Sequence, residues 1–152
     1  MSTHADKSLQ EALQEFERVL ETPIVPGELV QWIRDAAATC GRVGTEVVRQ
    51  QREGHAEILG QISREDTGLL QRVQMLREED ERLRDEYREL REQARQLDQQ
   101  ADSAEPNERE MDDLVSQFIR RGLDFVIRVR KQEIAMETWL VESFDRDRGV
   151  AD

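Results

Sequence analysis

One cysteine, three prolines and two histidines are spread over 152 residues, and aromatic side chains make up only 5% of the chain. A lone cysteine excludes an intrachain disulfide and a thiolate metal cage. Cys40 falls on the apolar side of a helical pattern, where a thiol behaves as a small buried hydrophobe. No apolar run reaches the roughly 20 residues that span a bilayer. No apolar stretch follows Met1–Lys7 as it would in a leader. A cytoplasmic chain with no membrane partner is therefore expected. Glycine-rich phosphate loops, nucleophile elbows and Cys/His pairs are also missing. Basic residues are scarce relative to acids, 22 against 34, for a net charge of −12. Nucleic acid is not an expected partner, because its phosphates would be repelled over a Debye length.

What is present is periodic. Mean hydropathy is −0.79 and 37% of residues are charged, yet the apolar residues recur at helical spacing, which separates a folded bundle from a disordered chain. The clearest stripe runs through Leu69, Val73, Leu76, Leu83, Tyr87, Leu90, Ala94 and Leu97, in alternating steps of four and three. One inward slot of this stripe holds Asp80, a carboxylate that needs a partner if it is buried. The outer face, Arg77, Glu78, Glu81, Arg82, Arg84, Asp85, Arg88, Glu89 and Arg91, reads as a solvated charged surface.

The spacing predicts helices over residues 7–21, 28–60, 64–99 and 106–144, with a frayed tail at 145–152. Leu9, Ala12, Leu13, Phe16, Val19 and Leu20 line the first. Thr22-Pro-Ile-Val-Pro-Gly27 stops it. The second carries Leu29, Ile33, Ala36, Cys40, Val43 and Val47, with Trp32 beside them. Its stripe then turns polar at Gln50 and Gly54 before Ile58 and Ile62 resume it. The capping residues Ser63, Glu65, Asp66 and Thr67 mark the second turn. Pro106 suits the start of the last helix, whose seam is Leu114, Phe118, Gly122, Phe125, Val129, Gln132, Met136, Leu140 and Phe144. Four helices with short connections imply one all-α domain over 1–152, an antiparallel up-down-up-down bundle.

A weak repeat relates Ala12-Leu-Gln-Glu-Phe16-Glu-Arg-Val19 to Leu76-Arg-Glu-Glu-Asp80-Glu-Arg-Leu83. With the helix order and the ending Glu142-Ser-Phe-Asp-Arg-Asp-Arg-Gly-Val-Ala-Asp152, the chain resembles hemerythrin-like (HHE) four-helix domains. The resemblance implies histidine ligands at Phe16 and Asp80, and histidine–glutamate pairs at Gln50 with Gly54 and at Gln132 with Met136. These six positions would be vestigial. Phe, Gly and Met offer no donor that paired iron accepts, and one Asp with two amides cannot replace the imidazoles. No metal, cofactor or catalytic residue is therefore expected, and Gln50, Asp80 and Gln132 are expected to form a hydrogen-bonded cluster.

Neither histidine offers a replacement. His55 has Glu53 and Glu57 two residues to either side, but positions two apart diverge around an α-helix. His4 lies in an N-terminal tail and has no assigned role. The function implied is a non-catalytic hemerythrin-like domain that has lost its di-iron site and serves as a structural, regulatory or partner-binding module. Its partner would be a protein of unspecified identity. The alternative is a small-ligand or metal-binding bundle, sensing oxygen or iron through a remodelled core site around Asp80, Gln50 and Gln132.

Overall fold

The computed structural model describes residues 3–57, 60, 70–103, 105 and 107–151, with side chains for all of these except 3–6, 108, 140 and 143–151. The described residues form four α-helices and one π-helical segment, with no strand: α1 (Thr3–Glu21), α2 (Leu29–Arg49), π1 (Gln50–His55), α3 (Leu70–Ala101) and α4 (Glu108–Ala151). None of the helices is long and apolar enough to cross a membrane. The expectations for Ile58, Ile62, the capping cluster at 63–67, Leu69 and Pro106 lie outside the described residues, as do those for the side chains of Leu140 and Phe144.

Three stretches depart from the expected ones by more than a residue or two. α1 starts at Thr3, so His4 belongs to a helix rather than a tail. α4 runs on to Ala151, through the stretch expected to fray. Within the helix expected over 28–60, α2 ends at Arg49, π1 follows it directly, and residues 56, 57 and 60 are α-helical again. The first connection behaves as its sequence suggests. Glu28 N–H donates to Val25 C=O at 2.9 Å, and Gly27 between them has φ 91°. Proline followed by a positive-φ glycine is the composition of a tight turn that reverses the chain. At the start of α4, Asn107 Oδ1 accepts from the backbone of Arg109 at 3.1 Å and Glu110 at 3.4 Å, capping donors that the helix leaves unpaired.

The predicted seams face inward. Leu9, Ala12, Leu13, Phe16 and Leu20 pack with Ile33, Ala36, Cys40, Val43 and Val47, with Leu83, Leu90, Ala94 and Leu97, and with Phe118, Phe125 and Val129 in one apolar core. Phe118 is its aromatic centre, edge-on to Phe16 at 6.0 Å and to Trp32 at 6.4 Å between ring centroids. Trp32 Nε1 satisfies itself on the Val19 carbonyl at 3.0 Å, tying the end of α1 to the start of α2. Gly44 permits another close approach, since a Cβ there would lie 1.9 Å from Tyr87 Cζ. A second, smaller apolar cluster joins Val73, Leu76 and Met136, with Trp139 against it. Arg128, which reaches both Glu79 and Glu86, pins α3 to α4.

Candidate functional site: a buried histidine between two carboxylates

The two apolar clusters are separated by a polar layer. Along α3, Asp80 sits between Leu76 of the small cluster and Leu83 of the large one, and along α4, Gln132 and Glu133 sit between Met136 and Val129. π1 adds Gln50 and His55. These five polar residues are buried, His55 to 2% exposure. Burying so many polar groups is tolerable only if each finds partners.

They find them in one another. His55 Nδ1 stands 3.2 Å from each oxygen of the Asp80 carboxylate, and its Nε2 stands 2.6 Å from Glu133 Oε1. Gln132 Nε2 donates to Asp80 Oδ1 at 2.7 Å, and Gln50 Nε2 donates to Glu133 Oε2 at 3.3 Å. Gln51 Nε2 donates to the backbone carbonyl of Asp80 at 3.2 Å. Burial works against the charged imidazole. The hydrogen bonds to Asp80 and Glu133 and the charges of both carboxylates outweigh it, raising the His55 pKa from 6.5 to about 9. Protonated at neutral pH, the ring donates from both nitrogens.

The π turn is what brings His55 inward. In a regular α-helix Gln50 and Gly54 share a face and His55 turns away from it. Hydrogen bonding from i to i+5 fits an extra residue into the turn, so Gln50, Gly54 and His55 are all buried while Arg52, Glu53 and Glu57 stay exposed. Gly54 keeps space for this arrangement, because a Cβ there would come within 2.8 Å of Gln50 Nε2.

The six positions implied by the hemerythrin-like resemblance do not share one level. Gln50, Gly54, Asp80 and Gln132 meet in the polar layer, and Met136 lies one turn further along α4 in the small apolar cluster. Phe16 is elsewhere. It packs on Phe118, which precedes Gln132 by fourteen positions, or about 21 Å of helical rise. The repeat that aligned Phe16 with Asp80 therefore relates residues at different heights, and a histidine at 16 would enter the aromatic core.

Two members of the layer went unread. Ideal helical pitch places His55 away from the face of Gln50 and Gly54, and π1 brings it back to that face. Glu133 was passed over for Gln132, although Val126, Val129, Glu133 and Met136 form a regular series in steps of three, four and three. That series, with the polar Gln50–Gly54 step, was the available signal.

Paired iron does not suit these residues. The layer holds a single imidazole, and its two nitrogens face two different carboxylates instead of one shared point. Among the described residues no three His, Cys, Asp or Glu side chains are grouped to hold a metal ion. Comparison with protein-family models, with curated proteins and with solved structures finds no match.

Proposed function

We propose that the chain is a non-catalytic hemerythrin-like bundle, one domain with up-down-up-down topology, in which an ion-paired polar layer takes in four of the six positions that the resemblance assigns to metal ligands, Gln50, Gly54, Asp80 and Gln132. It would serve as a structural, regulatory or partner-binding module. The order of contacts supports the topology. Asp80 meets Gln132, Tyr87 meets Phe125 and Glu89 meets Arg121, so positions rise on α3 as they fall on α4. Gly44 beside Tyr87 and Gln51 beside Asp80 relate α2 and π1 to α3 in the same sense.

One observation carries the non-catalytic reading. Both ring nitrogens of His55 are engaged by carboxylates in a buried layer, so the best base on offer is already protonated and enclosed. General base or ligand chemistry needs a bare nitrogen facing a substrate or an ion. The test is elemental analysis of the purified protein together with its histidine protonation state. Less than a tenth of an equivalent of iron, zinc or manganese, with a doubly protonated His55 at neutral pH, is the expected result. A stoichiometric metal that is lost in His55→Gln would replace this reading with the metal-binding alternative.

A further inference from the structure

We propose that the groove between α3 and the α2–π1 face binds a compact condensed phosphate, an ion carrying two or three linked phosphoryl groups. The groove encloses about 670 Å³. Arg77, Arg84 and Arg91 recur along α3 at seven-residue intervals with Arg88 among them, and Arg52 faces them from π1, all five lining one groove. Seven residues are close to two helical turns, which holds side chains on one side of the helix.

Among the described residues, four of these five arginines share the groove without a carboxylate partner. Arg18, Arg34, Arg109 and Arg120 are unpaired among those residues too, but they lie outside the groove, and many of the other arginines are neutralised by acids. Arg42 is bound to Glu15, Arg82 to Glu79, Arg95 to Glu92 and Arg121 to Glu89. Among the described residues, Arg52, Arg77, Arg84 and Arg91 have no carboxylate within 4 Å, while Arg88 is held by Asp85. The groove also contains Glu81 and Asp80, but the charge of Asp80 is taken up by His55. Crowding unpaired guanidinium groups on a chain of net charge −12 has an electrostatic cost that a bound anion would relieve.

Charge and geometry select the ligand class. Guanidinium forks match phosphate oxygens in pairs. Arg84 to Arg91 spans seven positions, about 10 Å along the helix, a length suited to two or three linked phosphates. A nucleic acid or an acidic protein would extend beyond the groove into the field of the remaining acids. A small anion lies within a Debye length of the arginines and is screened from the rest. Inorganic tripolyphosphate and a nucleoside triphosphate share this chemistry.

The test is calorimetric titration of the full chain with inorganic tripolyphosphate and, separately, with ATP, at about 0.1 M ionic strength, where the Debye length is about 10 Å. Saturable one-to-one binding is expected. It should weaken at least about tenfold in Arg84→Gln/Arg91→Gln, given the strength of charge-assisted hydrogen bonds. In the control Arg95→Gln/Arg121→Gln, which changes net charge equally outside the groove, affinity should stay within about twofold of the parent. Tighter binding of ATP than of tripolyphosphate would make the nucleotide the source, and equal affinities would make the phosphate chain sufficient. No saturable binding, an equal loss in both double variants, or equally tight binding of a polyglutamate peptide or an oligonucleotide would overturn the proposal. If the groove variant fails to fold, the parent decides alone. Tripolyphosphate should raise its Tm above sodium chloride of matched ionic strength, and no rise would overturn the proposal.

Discussion

His55 Nε2 and Glu133 Oε1 lie 2.6 Å apart although 78 positions separate them in the chain. That contact, with Asp80 on the other side of the ring, makes an interior ion pair the central feature of an otherwise apolar bundle. Such a pair is weak as a source of net stability but costly to break from one side.

Replacing His55 by leucine leaves two carboxylates buried without their cation. Urea unfolding should show a loss of about 3–5 kcal/mol. Combining His55→Leu with Asp80→Asn and Glu133→Gln removes both orphaned charges and keeps acceptors for Gln132 and Gln50, so more than half of the loss should return. Equal stability of the single and triple variants would mean that the carboxylates are solvated.

The raised pKa of His55 fixes a pH dependence. Its folded value near 9 exceeds the ordinary 6.5, so its contribution is complete below about pH 6.5 and disappears as pH rises through 9. Unfolding free energy should fall by on the order of 3 kcal/mol between pH 6 and pH 10. The His55→Leu chain should lose most of that slope.

The seams were legible because burial of apolar side chains follows a period written directly in the sequence. Leu83, expected mid-seam, is fully buried. Asp80 was legible for the same reason, as a polar residue in an apolar slot. His55 was not. Its inward turn depends on a change of helical pitch over Gln50–His55, which local spacing does not encode and which the surrounding polar partners stabilise. Phe16 was misplaced because matching residue types on two helices says nothing about their relative height. The charged face of α3 was read as uniform solvated surface. Ion pairs between i and i+3 within α3 neutralise Arg82, Arg88 and Arg95, while Arg77, Arg84 and Arg91 line a groove with no carboxylate partner among the described residues.

The close approach of Tyr87 to Gly44 makes Gly44→Ala informative. The added methyl would overlap the phenol ring, and overpacking of this kind costs about 1–3 kcal/mol. Leu83→Ala, which opens a cavity in the same core, should cost about 2–5 kcal/mol. Chemical denaturation of both variants measures the two effects. A neutral Gly44→Ala would place the Tyr87 ring outside this contact.

Burial pushes the Cys40 thiol up to about 12, with nearby Arg91 opposing the rise only in part. The thiolate that alkylating reagents need is therefore scarce at neutral pH. Iodoacetamide should label the folded chain slowly and the urea-unfolded chain readily, and rapid labelling of the folded chain would contradict burial of α2.

The most direct measurement is the pair of imidazole ¹⁵N shifts of His55, followed from pH 6 to pH 10 in the full chain. Both nitrogens should carry protons at pH 7, with a single transition near pH 9 that is displaced when Glu133 is replaced by Gln. A neutral ring at pH 7 with one bare nitrogen, or a nitrogen shifted by a bound metal, would contradict the ion-paired layer and the non-catalytic reading built on it.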